Sequence, residues 1–126
     1  MIQQQTILKV IDNSGAKNVK CIKVLGGFKK KFACSGSVII VSIQNLKKNF
    51  KMSSKIKKGD VIKALILKTK IKTKKKDGSF MFFKNNCVCL VNKQGNPIAT
   101  RIIGLIPKNL KKNKFMKLTT LSAGFI

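Results

Sequence analysis

Short apolar runs rich in Val and Ile recur along this chain at intervals of about ten residues, separated by Gly, Asn, Asp and Pro, a spacing that predicts an all-β barrel. A first strand is expected over 5–11, and Asp12-Asn-Ser-Gly15 then supplies a turn, since Asn and Gly both tolerate positive φ. A second is expected over 19–25 and stops at Gly26-Gly27. Residues 37–44 (Ser-Val-Ile-Ile-Val-Ser-Ile-Gln) are apolar on both faces, which predicts a central strand buried on both sides. Further strands are expected over 61–70, entered through Lys58-Gly-Asp60, and over 80–83 and 87–92, with Gln94-Gly-Asn-Pro97 closing the set. Asp77-Gly78 reads as a two-residue hairpin turn at the tip of an extended basic ribbon. Beyond Pro107 the pattern around Leu110, Lys114 and 116–118 allows one or two short helices. The whole is one mainly β domain over 1–126, with the barrel over 1–106 and a small helical lobe over 107–126.

Charge changes the picture most. The 126 residues carry 28 Lys plus Arg against 3 Asp and no Glu, a formal net charge of +25. Hydrophobic residues make up 44 % and are interleaved with the lysines, so the chain folds rather than forming a disordered basic tail. A small fold with that self-repulsion calls for a polyanionic partner, and nucleic acid fits best. Every basic residue except Arg101 is Lys. An ammonium neutralises phosphate, whereas the guanidinium fork reads guanine edges, so backbone and shape are bound rather than sequence. Three Lys clusters carry this reading: Lys29, Lys30 and Lys31; Lys47, Lys48, Lys51, Lys55, Lys57 and Lys58; and Lys72, Lys74, Lys75 and Lys76. Phe28 and Phe32 bracket the first, but Phe in a β protein more often fills the core than stacks on bases.

The remaining chemistry is sparse. There is no His, and Asp12, Asp60 and Asp77 each sit in a turn signature, so neither general acid–base nor two-metal catalysis is supported and no enzyme is expected. Cys21, Cys34, Cys87 and Cys89 offer one Cys-x-Cys and no His, short of zinc-ligand spacing; reduced structural thiols are expected, with no metal and no cofactor. The longest uncharged stretch, residues 33–46, is too short and too polar to span a bilayer, and no membrane partner is expected. The start, Met1-Ile-Gln-Gln-Gln5, has no targeting character. The near-absence of Arg, with 8 Phe and no Trp or His, is what AT-rich codons produce and suggests an organelle or another AT-rich genome.

Eight motifs in order then carry a resemblance. Met1-Ile-Gln-x-Gln-Thr6, Asp12-Asn-Ser-Gly-Ala16, Cys21-Ile-Lys-Val-Leu-Gly-Gly27 and Lys57-Lys-Gly-Asp-Val61 are the first four. Ala64-Leu-Ile-Leu67 with Asp77-Gly-Ser79, Phe83-x-x-Asn86, Pro97-Ile-Ala-Thr-Arg-Ile-Ile-Gly104 and Phe115-Met-Lys117 follow. Together they resemble the universal large-subunit ribosomal protein fourteen family over essentially the whole chain. The resemblance implies a five-stranded β-barrel with a projecting ribbon and a C-terminal lobe. It also implies binding to large-subunit rRNA, contact with large-subunit protein families three and nineteen, and a place on the intersubunit face against small-subunit rRNA, where the family also receives a ribosome-silencing factor. Where the family has an Arg pair after Ser-Gly-Ala, this chain has Lys17-Asn18, which keeps one charge; Cys89 replaces the usual Val.

Charge and resemblance together nominate Lys9, Asn13, Ser14, Lys17, Lys23, Lys68 and Lys70 as rRNA contacts beside the three clusters, and Thr100, Arg101, Lys114 and Lys117 as the intersubunit or silencing-factor face. The expected setting is an organellar ribosome, in the mitochondrial matrix or alternatively the plastid. Two rival readings are a free nucleic-acid chaperone with an oligonucleotide-binding barrel, which needs aromatics along one strand face, and a basic RNA-processing enzyme, which the missing His and Glu weaken.

Overall fold

The structure, a computed structural model, describes residues 1–48, 56–111 and 115–126. Five strands close into a barrel: β1 (Ile7–Val10), β2 (Ala16–Val24), β3 (Val38–Leu46), β4 (Val61–Lys68) and β7 (Cys87–Val91). Neighbours run antiparallel until β1 meets β7 in parallel, Lys9 beside Cys87 and Val10 beside Val88, which removes the open edge. Between β4 and β7 the chain leaves the barrel as a short ribbon, β5 (Thr73–Lys74) against β6 (Phe80–Met81). After the barrel come β8 (Ile102–Ile106), a 3-10 turn (Lys108–Leu110), helix α1 (Met116–Thr120) and β9 (Ser122–Phe125).

Alternation along the strands sorts the core into two layers. Leu8, Val19, Ile39, Val41, Ala64 and Val88 point into the barrel, which is filled by aliphatic residues and Cys21. Leu65 and Leu67 on β4, with Cys89 and Val91 on β7, face the other way and pack against Ile102, Ile106, Leu110 and Leu118 of the C-terminal lobe. Each such aliphatic side chain contributes about 1.5–3 kcal/mol by leaving water. Burial pushes the Cys21 and Cys87 thiols up, and carries Cys89 to about 12 with the Asp12 carboxylate adding to the effect. These thiols stay protonated at neutral pH and serve as small hydrophobes, as the sequence suggests.

Several expectations change. The strand expected to be buried on both sides, over 37–44, is β3, and it alternates: Ile39, Val41 and Ile43 are inside while Val38, Ile40 and Ser42 are half-buried. The doubly buried strands are β4 and β7, which supply the buried barrel residues that pack against the C-terminal lobe, whereas β3 meets that layer only through half-buried Val38. The second strand begins at Ala16 rather than 19 and follows Gly15 directly, absorbing the geometry through register shifts near Asn18 and Cys21. The C-terminal lobe holds the short helical pieces expected there, the 3-10 turn and the five-residue α1, and is also tied together by a parallel pair, β8 with β9, that was not expected. Gly104, at φ 89°, sits where the β8–β9 register shifts between Ile102 and Leu105.

The ribbon tip differs as well. A two-residue Asp-Gly turn needs positive φ at both positions, and only Gly78 has it. The Gly78 N–H donates to the Lys75 carbonyl at 3.2 Å and the Lys75 N–H to the Ser79 carbonyl at 2.8 Å, so the loop has three residues. No described Phe belongs to the buried core; the aromatics sit in loops, the ribbon and the lobe.

One buried carboxylate joins the first turn to the neighbouring strand β7. Asp12 is fully buried; Oδ1 accepts the Ser14 N–H at 2.9 Å and the Ser14 hydroxyl, and Oδ2 accepts the Leu90 N–H of β7 at 2.8 Å. Asp12→Ala leaves these donors unsatisfied and is expected to cost about 1–3 kcal/mol for each buried one. The check is the urea midpoint of unfolding, which should fall clearly; an unchanged midpoint would show that the carboxylate does not hold the turn.

Candidate RNA interface

All three acids are spent on local structure. Asp12 lies inside; Asp60 accepts the Lys57 N–H at 2.8 Å; Asp77 accepts the Ser79 N–H at 3.0 Å and hydroxyl at 2.7 Å. The Ser79 hydrogen bonds, with a smaller contribution from Lys75, hold the Asp77 carboxyl below the usual range. Even complete internal pairing would leave the net +25, so the cationic surface requires an external countercharge.

Strand pairing gathers the lysines into sites that linear clusters do not reveal. Ala16 pairs with Leu46, and the Lys47 N–H donates to the Gly15 carbonyl at 2.9 Å, which brings the start of β2 beside the end of β3. Lys17, Lys47, Lys48 and Lys58 consequently line one open depression of about 750 Å³ with Asn45 and Leu46. Lys47 is steadied by donating to the Asp12 carbonyl at 3.2 Å. Lys51 and Lys55 lie outside the described residues, as does Lys114.

A second groove sets Lys23, Lys29, Lys30 and Lys31 against Gln3, Gln4 and Gln5. Lys9 is exposed on β1 opposite Asn18. Lys70, Lys72, Lys74 and Lys76 are exposed along the ribbon segment, and Lys75 is half-buried at its tip. Lys68, half-buried at the end of β4, lies 5.4 Å from the Phe83 ring centroid, a cation–π contact that points it toward the ribbon's base. Lys57 is exposed at the Gly59 turn.

Asn13 and Ser14 are engaged internally. The Asn13 side chain donates to the Thr100 hydroxyl at 2.8 Å and accepts the N–H groups of Thr100 at 3.0 Å and Arg101 at 3.1 Å, while its own N–H donates to the Arg101 carbonyl at 3.2 Å. The first turn therefore pins the backbone of Thr100 and Arg101 and leaves both exposed. The sequence reading missed a further cationic cleft of about 750 Å³, where Lys30, Lys63, Lys93 and Lys117 stand over Leu25, Leu65, Val91 and Leu118. Lys63 could have been found from alternation, since it shares the outward face of β4 with Val61 and Leu65. Lys93 lies in the turn after β7 and has no such signal. Lys117 donates to the Asn96 side chain at 3.3 Å, fixing its position at this cleft.

Fold and surface define the class: a rigid aliphatic barrel that displays lysine on loops, ribbon and outer strand faces. Residues 1–126, the full chain, match the family described as ribosomal protein L14p/L23e, and the chain belongs to that family. It is thus a structural, non-enzymatic constituent of the large ribosomal subunit that acts in translation, binding rRNA and other ribosomal proteins.

Proposed function

We propose that the chain cements large-subunit rRNA by neutralising phosphates at the Lys17, Lys47, Lys48 and Lys58 depression, the Lys29, Lys30 and Lys31 loop, and the Lys72, Lys74, Lys75 and Lys76 ribbon. The observation that carries this reading is the convergence of Lys17 with Lys47, Lys48 and Lys58 from three chain segments onto one open surface. A barrel that cannot shear holds those ammonium groups at fixed spacing, so the ordering entropy of the site is met by folding rather than by binding. Phosphates along an A-form helix or at a junction of helices suit such a surface.

A second part of the proposal assigns Thr100, Arg101 and Lys117, with Lys114 beyond the described residues, to the face toward small-subunit rRNA or a ribosome-silencing factor. Its support is Asn13, which holds the backbone of Thr100 and Arg101 so that the only guanidinium of the chain is presented from a fixed position. Families three and nineteen remain the proposed protein neighbours. The compartment proposed is the mitochondrial matrix, with the plastid as alternative, on the strength of Lys displacing Arg almost everywhere. The chaperone reading finds little support, because the barrel strands β1 to β4 and β7 contain no aromatic residue on which bases could stack.

If six to ten phosphates are neutralised, the logarithm of RNA affinity against that of salt concentration should slope at roughly −4 to −9, from about 0.7 to 0.9 per contact. The measurement is filter binding of the whole chain to an rRNA fragment across a salt series, and a slope shallower than about −2 would contradict electrostatic cementing. Arg101→Lys is expected to weaken subunit joining or silencing-factor binding while large-subunit assembly stays intact, since an ammonium cannot reproduce a planar two-bond contact. Purified mutant subunits with wild-type affinity in both associations would remove Arg101 from that face.

A further inference from the structure

Phe28 is the most exposed large hydrophobic residue among those described, at 92 %. It lies in Gly26-Gly-Phe-Lys-Lys-Lys-Phe32, a loop whose path needs positive φ at Gly26 (94°) and at Lys29 (49°). A lysine held in that region is uncommon and marks a loop with a defined shape. The Lys29 ammonium sits 5.4 Å from the Phe28 ring centroid, over one face, and the exposure of the ring leaves the opposite face open.

The chain neighbours of Phe28, Gly27 and Lys29, both line a groove of about 670 Å³, within the range of ligand clefts. One wall is Gln3, Gln4 and Gln5; the other carries Lys29, Lys30 and Lys31. The two walls are clamped together at their base. Ile2 and Ala33, both fully buried, exchange backbone hydrogen bonds of 3.0 and 2.7 Å, and the Gln5 N–H donates to the Cys21 carbonyl at 2.8 Å. The groove is therefore part of the fold. The groove itself presents ammonium groups for phosphate and side-chain amides that both donate and accept and can meet any base edge, and the open face of Phe28 stands at its border, between the lining residues Gly27 and Lys29.

We infer that this groove takes one unpaired nucleotide of RNA, its base stacked on Phe28, its flanking phosphates on Lys23, Lys29 and Lys31, and its edge facing the Gln3 to Gln5 amides. The inference rests on the RNA-binding reading above and adds a contact that fully paired RNA cannot make. The barrel strands bind backbone without reading base state, whereas this loop distinguishes an unstacked base from a paired one.

The chain contains no Trp and no Tyr, so Phe28→Trp introduces a single clean fluorophore at a solvent-exposed position. The whole protein is titrated with an RNA hairpin bearing one bulged nucleotide, with the same hairpin fully paired, and with heparin, a polyanion without bases. Stacking predicts that the bulged hairpin quenches the tryptophan emission and the other two do not. In the otherwise native chain, Phe28→Ala should weaken the bulged hairpin roughly 5- to 150-fold and leave the paired one unchanged. Binding of both hairpins without quenching, and with equal affinity for the Ala variant, overturns the inference while leaving phosphate cementing in place. Failure of the wild-type chain to bind either hairpin instead overturns the RNA reading itself. A photoreactive phenylalanine analogue at position 28 in assembled large subunits gives an independent readout: adducts to RNA are expected, and adducts to protein alone would assign Phe28 to a neighbouring subunit protein.

Discussion

Like-charge repulsion is the constraint that the rest of this structure answers. A net +25 on 126 residues opposes compaction at every pH where lysine is charged, and only 3 acids exist to oppose it. The fold uses those acids inside turns, where the Asp12 and Asp77 carboxylates each accept two or more hydrogen bonds and the Asp60 carboxylate accepts the Lys57 N–H. Stability then has to come from apolar burial, and the closed barrel with a second aliphatic layer over β4 and β7 supplies it. The cost of repulsion is recovered when an external polyanion binds, which links folding to assembly.

Asp12 connects this economy to the surface. By gripping β7 through the Leu90 N–H it fixes the turn that carries Asn13, and Asn13 in turn fixes the backbone of Thr100 and Arg101. Its own carbonyl steadies Lys47 at the opposite depression. A single buried carboxylate thus sets the positions of groups on two candidate faces, and a change at that site should be felt at both.

The barrel strands were readable because β-branched runs and turn residues are local signals: β1, β2, β3, β4 and β7 all fall within or beside the expected segments. Strand β8 and β9 were not, since their parallel pairing joins Ile102 to Ser122 across a turn and a helix, and Ser-Ala-Gly-Phe has no β-branched residue. Burial on both faces was assigned to the wrong strand because apolar content, as in Val38–Leu46, does not reveal which strand a neighbouring lobe covers. At the site, the linear clusters exposed the lysine loops, but the meeting of Lys17 with Lys47 and Lys48 depends on register and could not be seen in sequence. The hydrogen bonds of Asn13 and Ser14 to Thr100, Arg101 and Asp12 were not legible either, because those partners lie far along the chain or buried inside it.

Phosphate cementing is tested most directly by a map of the intact large subunit containing this chain. The ammonium groups of Lys17, Lys47 and Lys48 should each lie within about 4 Å of an rRNA phosphate oxygen, the distance of an ion pair. A map in which that depression faces bulk solvent, or the carboxylates of a neighbouring protein, would contradict it.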